Sequence, residues 1–271
     1  MVTAQKKVKT RSKPVSTTET TSKESGQIRS FSVLLSGSWQ IFKRSFVNYL
    51  LLLLVAVGLV GTIIIITFSF TFFPNFNSMT TNLFSTPVGL ILIIFLIFLY
   101  YVVALFIPIF FELAIKHIII TTGEGEPTDF RLSLKYSYRN LGSFFSVSLV
   151  SGILSIMGYY LLIIPGVIIS IILSQVANVF VLENRNGLSL GTLDKSCEIT
   201  KGYRWIVLGR YILLYVFLLS PLLISALLTL VSPVMTIIFF VVFVCTIISF
   251  SPITTAFNYL IYKDLVKIQS N

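Results

Sequence analysis

"LLIIPGVIIS", residues 161–170, sets a proline and a glycine inside an apolar run whose nearest charges are Arg139 and Glu183. Whether this stretch is one kinked helix or two helices and a turn decides the topology. The charge-free run 140–182 holds 43 residues. As a single helix it would be about 65 Å long, twice the roughly 30 Å hydrocarbon core of a bilayer. It must fold back. Proline cannot donate a backbone hydrogen bond inside a helix, and glycine accepts turn conformations at little steric cost. The turn is therefore expected at Pro165 and Gly166, with helices over 143–164 and 167–183.

Two more runs lack charge, 45–111 with 67 residues and 211–262 with 52. Each has room for two crossings of about 20 residues. Breaks are expected in "FFPNFNSMTTNLFSTP" (72–87) and "VSPVM" (231–235), where Pro, Asn, Ser and Thr collect. Six spans follow: 48–72, 88–111, 143–164, 167–183, 205–230 and 234–262. The composition agrees, with 55% hydrophobic and 11% charged residues among 271 and a mean hydropathy of +0.93. A soluble domain would expose too much apolar surface at these values.

The net charge of +10 would suggest nucleic acid in a soluble chain. Here the bilayer takes precedence, and no nucleic-acid partner is expected. Lys and Arg fall in the N-terminal region, in the segments after the second and fourth spans, and at the C-terminus, while the three alternate loops carry none. Basic loops favour the cytoplasmic side, so both termini are expected there, in a multi-pass protein of the cell membrane. Residues 1–27 are polar and read as a disordered basic cytoplasmic tail that stays attached, because they lack the apolar centre of a signal peptide. Residues 28–271 form the membrane domain.

The segments entering each hairpin resemble one another. "FSVLLSGSWQIFKRSF" from Phe31 aligns at an offset of 99 with "FRLSLKYSYRNLGSFF" from Phe130, and at a further 59 with "SLGTLDKSCEITKGYR" from Ser189. Leu35, Leu134 and Leu193 coincide, as do Ser38, Ser137 and Ser196. Spacing places Phe31, Leu35, Trp39, Phe42 and Phe46 on one helical face, and Phe130, Leu134, Tyr138 and Leu141 on another, beside a basic stripe of Arg131, Lys135 and Arg139. These segments read as amphipathic helices on the cytoplasmic membrane surface, one before each hairpin, with the stripe facing anionic lipid. Thr128 is the expected N-cap of the second and Lys201–Gly202 the expected end of the third. The fold class is thus all-α: six transmembrane helices in three hairpins, each preceded by an amphipathic helix.

The order "LLIIPG", then "VLEN", then "DKSCEITKGYRW" resembles the membrane domain that accompanies bacterial glycerophosphoryl diester phosphodiesterases and related six-span proteins. The matching positions are Pro165, Gly166, Glu183, Ser196, Lys201, Gly202 and Trp205, within a likeness covering about residues 120–262. The resemblance implies a prokaryotic membrane protein without catalysis of its own, since in the fused proteins the phosphodiesterase is a separate soluble domain. With nine residues after the last span, such a domain is not expected here.

Chemistry has little foothold elsewhere. The single His117 has no carboxylates at metal-binding spacing, Cys197 and Cys245 are expected on different levels of the membrane, and neither metal nor cofactor is expected. Small and polar residues lie on the third span (Ser148, Ser151, Ser155, Gly158) and the fourth (Ser170, Ser174, Gln175, Asn178), where packing between helices is the ordinary use. In the sixth span, Pro252 stands among Ser251, Thr254, Thr255 and Asn258, and the carbonyl it releases could bind a ligand or ion. Two functions therefore stand open: a non-catalytic organiser that binds anionic lipid and other membrane proteins, or a small permease with a polar site near Pro252. Glu183 and the basic pair Lys201 and Arg204 are expected to meet at the membrane face. A cysteine placed at Asn77 should react with an impermeant thiol reagent in intact cells, while Cys197 should react only after the membrane is opened; labelling of Cys197 from outside would reverse the orientation.

Overall fold

The computed structural model describes residues 27–72, 86–183, 189–229 and 234–270. Among them the chain is helical without strands: α1 (Phe31–Phe72), α2 (Pro87–Gly123), α3 (Phe130–Leu161), α4 (Ile163–Leu173), α5 (Val176–Glu183), α6 (Ser189–Thr200), α7 (Arg204–Thr229) and α8 (Val234–Gln269). Six helical stretches are long and apolar enough to cross a bilayer, with α4 and α5 together making one of them. The protein is a multi-pass membrane protein with three hairpins, α1/α2, α3/α4–α5 and α7/α8. The turns expected at 72–87 and 231–235 fall on residues largely outside the described ones.

The hairpin of the third and fourth spans forms as expected, but its break is displaced. Leu162 is the one non-helical residue, with φ −171° and ψ 153°, and Pro165 lies in the first turn of α4. A helix N-terminus has backbone N–H groups with no partner to lose, so proline suits that turn better than the break itself. Gly166 has a different task. A Cβ there would come within 2.6 Å of the Tyr159 ring and 2.8 Å of its backbone nitrogen, and one on Gly158 would meet the Gly166 Cα at 3.0 Å. The two glycines let α3 and α4 touch backbone to backbone.

The amphipathic segments before the first two hairpins are the charged ends of α1 and α3, continuous with the spans. At 42 and 32 residues these helices run about 63 and 48 Å, well beyond the hydrocarbon core. Only the third, α6, is a separate helix; it stops at Thr200 and turns through Gly202, whose φ of +86° suits the residue after a helix end. The N-cap of α3 is Asp129 rather than Thr128, its carboxylate accepting from the Arg131 N–H. Thr128 instead meets Thr122 through its hydroxyl at 2.9 Å, and its carbonyl accepts from the Asn48 amide at 2.6 Å.

The aromatic face is divided, with Phe42 in the core and the Phe31 ring against Phe257 while Trp39 and Tyr138 point outward. Trp39 is 46% exposed and Tyr138 80% exposed, whereas Ser38, Ser137 and Ser196 are completely buried. One turn earlier Leu34, Ser133 and Thr192 are buried too. Lipid tails are as apolar as an aromatic face, so nothing drives all of that face into the protein, while small residues allow close helix approach. The three repeated segments therefore share a packing register. They also share a neighbour relation: α3 packs on α2, α6 on α4 and α5, and α1 on α8, while α2, α5 and α8 touch one another inside. Each entering helix leans on the returning helix of the preceding hairpin, and α1 closes the ring.

Ion pairs fasten this ring at its charged end. Arg29 donates to Asp264 through Nε at 2.7 Å and through its backbone N–H at 3.1 Å. Glu124, after α2, accepts from the Tyr259 hydroxyl at 2.6 Å and pairs with Lys263 at 3.1 Å. Gln269 reaches the Glu198 carbonyl at 2.8 Å. Toward the opposite end, Leu54, Val57, Ile91, Ile94, Met157, Leu161, Leu223 and Leu227 are exposed, as lipid-facing positions are.

Gly166→Leu should lower stability in mild detergent by about 1–3 kcal/mol, because a rigid backbone atom blocks the added side chain. Gly142→Leu, where nothing lies near the added Cβ, should change the melting temperature little.

Candidate functional site: a polar knot in a broken span

The fourth span is interrupted at Ser174–Gln175, where α4 gives way to α5. A continuous span over 167–183 was expected, so this break is a correction. It lies eight residues from Glu183, about 12 Å inside the charged end. Bilayer lipid offers no hydrogen bonds, so backbone groups released there need partners within the protein.

Side chains from other helices and from the break itself supply most of these partners. The Ile171 carbonyl accepts from the Ser174 N–H at 3.2 Å and from the Ser174 hydroxyl at 2.7 Å. The Ile172 carbonyl accepts from Ser196 of α6, the buried repeat serine. The Ser174 carbonyl accepts from the Asn258 amide of α8 at 2.7 Å. Asn258 in turn accepts through Oδ1 from the Gln175 amide at 2.6 Å and from the Tyr211 hydroxyl of α7. Asn178 donates to Gln175 Oε1 at 2.9 Å. Gln175 is fully buried and Asn178 nearly so, and both are satisfied. The knot joins α4, α5, α6, α7 and α8 through hydrogen bonds alone.

Pro252 was expected to leave a carbonyl available for a ligand. The acceptor in question, four residues back, is Ile248, and it takes the Tyr49 hydroxyl of α1 at 2.8 Å. At Pro221 the Phe217 carbonyl takes the neighbouring Ser220 hydroxyl at 2.9 Å. The residues grouped around Pro252 separate in space. Pro252 is buried and Asn258 belongs to the knot, whereas Ser251 is exposed and Thr255 turns back to the Ser251 carbonyl at 2.8 Å. Thr254 Oγ1 and Ser151 Oγ are buried with no hydrogen-bond partner among the described residues.

The other singled-out residues are mostly structural. His117 sits 3.0 Å from the Ser133 hydroxyl and stacks on Tyr136. Glu183 Oε1 accepts from the Tyr262 hydroxyl at 3.4 Å, Lys201 is exposed, and Trp205 is 71% exposed beside Arg204. Burial raises the Cys197 thiol above its ordinary pKa, with Arg204 opposing and Asp194 adding to the rise. Its labelling will be slow even with the membrane opened. Arg131, Lys135 and Arg139 are all exposed, with Leu132 and Tyr138 exposed among them. Arg131 and Lys135 share one helical face with Tyr138.

Ser174, Gln175, Asn178 and Asn258 were legible as polar residues in spans. Tyr49 and Tyr211 were not singled out, because a tyrosine near a span end is ordinary and its carbonyl or amide partner is distant in sequence. No family model, curated protein or solved structure matches this chain.

Asn258→Leu should destabilise the protein by about 1–3 kcal/mol, since it strands the Ser174 carbonyl and leaves the Gln175 amide only its longer bonds to the Ser174 and Tyr211 hydroxyls. Tyr49→Phe should cost about 1 kcal/mol through the Ile248 carbonyl. Thermal unfolding in mild detergent measures both, and the two losses should add, as the sites share no partner.

Proposed function

We propose that this protein is a non-catalytic membrane-organising component, seated in the cell membrane with its charged end cytoplasmic and engaged with anionic lipid and other membrane proteins. One observation carries the reading. The polar groups at membrane depth bind one another across five helices, while the basic stripe of α3 stays exposed with apolar neighbours. A surface of that kind lies at a headgroup layer, each charge contributing about 1 kcal/mol of attraction to an anionic leaflet. The likeness to phosphodiesterase-associated membrane domains fits the same reading, since those domains are separate from the chemistry.

A permease near Pro252 is the second reading, favoured by the unpartnered Thr254 hydroxyl. Against it, Ile248 has spent its released carbonyl on Tyr49.

One pair of variants separates the two. Neutralising Arg131, Lys135 and Arg139 to Gln should weaken association of a soluble α3 charged-end peptide, residues 127–145, with vesicles containing 30% phosphatidylglycerol by about a hundredfold. The same change in full-length protein should reduce co-purified anionic lipid. Changing Ser251, Thr254 and Thr255 to Ala should leave lipid and protein partners in place. Solute flux in proteoliposomes that the Ala variant abolishes would replace the first reading with the second.

A further inference from the structure

Four basic side chains among the described residues pair with an acid, and Lys43, Arg44, Arg131, Lys135, Arg139, Lys201 and Lys267 are exposed. Arg29 pairs with Asp264, Lys116 with Glu112, Lys195 with Glu198 and Lys263 with Glu124. Arg204 and Arg210 on α7 are different. Both are half-buried, and the Nε of each is sealed from solvent with no hydrogen-bond partner among the described residues. Arginine does not escape burial by losing its proton, so each stays charged. A charge at a bilayer edge without a counter-ion is costly, and a native protein that retains one ordinarily supplies the counter-ion from somewhere.

The surroundings of Arg210 identify the source. Helical spacing puts Ile206, Arg210, Leu213, Phe217 and Ile224 on one face of α7, and the four apolar members are all exposed. Arg210 thus crowns an apolar strip that runs down into the membrane. Side chains on a helix lean toward its N-terminus, which carries the Arg210 head toward the level of Arg204 and Trp205. The exposed Trp205 indole marks that level as the membrane–water boundary. A guanidinium presents a planar fork that matches phosphate oxygens.

We propose that Arg210, assisted by Arg204, holds the phosphate of a membrane phospholipid whose acyl chain lies along Leu213, Phe217 and Ile224. The site is on α7 and does not depend on the α3 stripe. A free anion would satisfy the guanidinium but would leave the apolar strip unused.

The test is thermal unfolding of full-length protein in mild detergent, titrated with phosphatidylglycerol. Native protein should be stabilised, and Arg210→Gln should raise the lipid concentration giving half the shift by about tenfold, as loss of a charge-assisted hydrogen bond does. Arg210→Lys, which keeps the charge and loses the fork, should fall between them, and it carries the test if Arg210→Gln does not fold. Gln at Arg131, Lys135 and Arg139 together should leave the Arg210-dependent part of the shift intact. Three results would overturn the proposal: an equal response in Arg210→Lys and native protein together with an unchanged Arg210→Gln, an equal shift from an uncharged diacyl glycolipid, or full reproduction of the shift by inorganic phosphate. The last would make the site one for a free anion.

Discussion

A backbone polar group at membrane depth has only the protein to bond with, and this fold is arranged around that constraint. The break at Ser174–Gln175 releases carbonyls in the fourth span, and Ser174, Ser196 and Asn258 take up three of them. Pro252 and Pro221 release two more, held by Tyr49 and Ser220. Because Ser196, Asn258 and Tyr49 come from α6, α8 and α1, satisfying the backbone also fixes which helices are neighbours. In water these carbonyls could bond to solvent and the same side chains would be dispensable.

Packing follows a related economy. The helices approach most closely where serine and glycine face a neighbour, as Ser38, Ser137, Ser196, Gly158 and Gly166 illustrate. The recurrence of one buried register in three segments gives the hairpins a common docking geometry, and the ring closes where Arg29 meets Asp264. That closure ties the residues before α1 to the last helix, 235 positions away. The charged end is consequently held by bonds between distant parts of the chain, while the described residues toward the opposite end present mostly apolar side chains outward.

This distribution bears on function. Amides and hydroxyls inside the membrane are largely occupied in holding helices together, which leaves few groups to receive a passing solute. Among the described residues, the basic groups of α3 and α7 have no hydrogen-bond or ion-pair acceptor and lie toward the charged end of their helices. A role in arranging lipid and protein around itself draws on those groups and requires no movement of the polar knot.

Sequence alone determined the helical class, the six crossings and the charge asymmetry, because a crossing needs a fixed length of apolar chain and charges are excluded from it. It also located the hairpin to within three residues and the Gly202 helix end, both set by local backbone preferences. It did not reveal that Ser38, Ser137 and Ser196 share a buried register, since hydrophobicity distinguishes inside from outside only when the outside is water. Tertiary structure decided the break at Ser174–Gln175, the placing of Asn258 with Gln175 rather than with Ser251 and Thr254, and the partnership of Tyr49 with Ile248. Each depends on a side chain meeting a backbone group from a distant part of the chain, and no periodicity along one helix encodes what another helix brings to it.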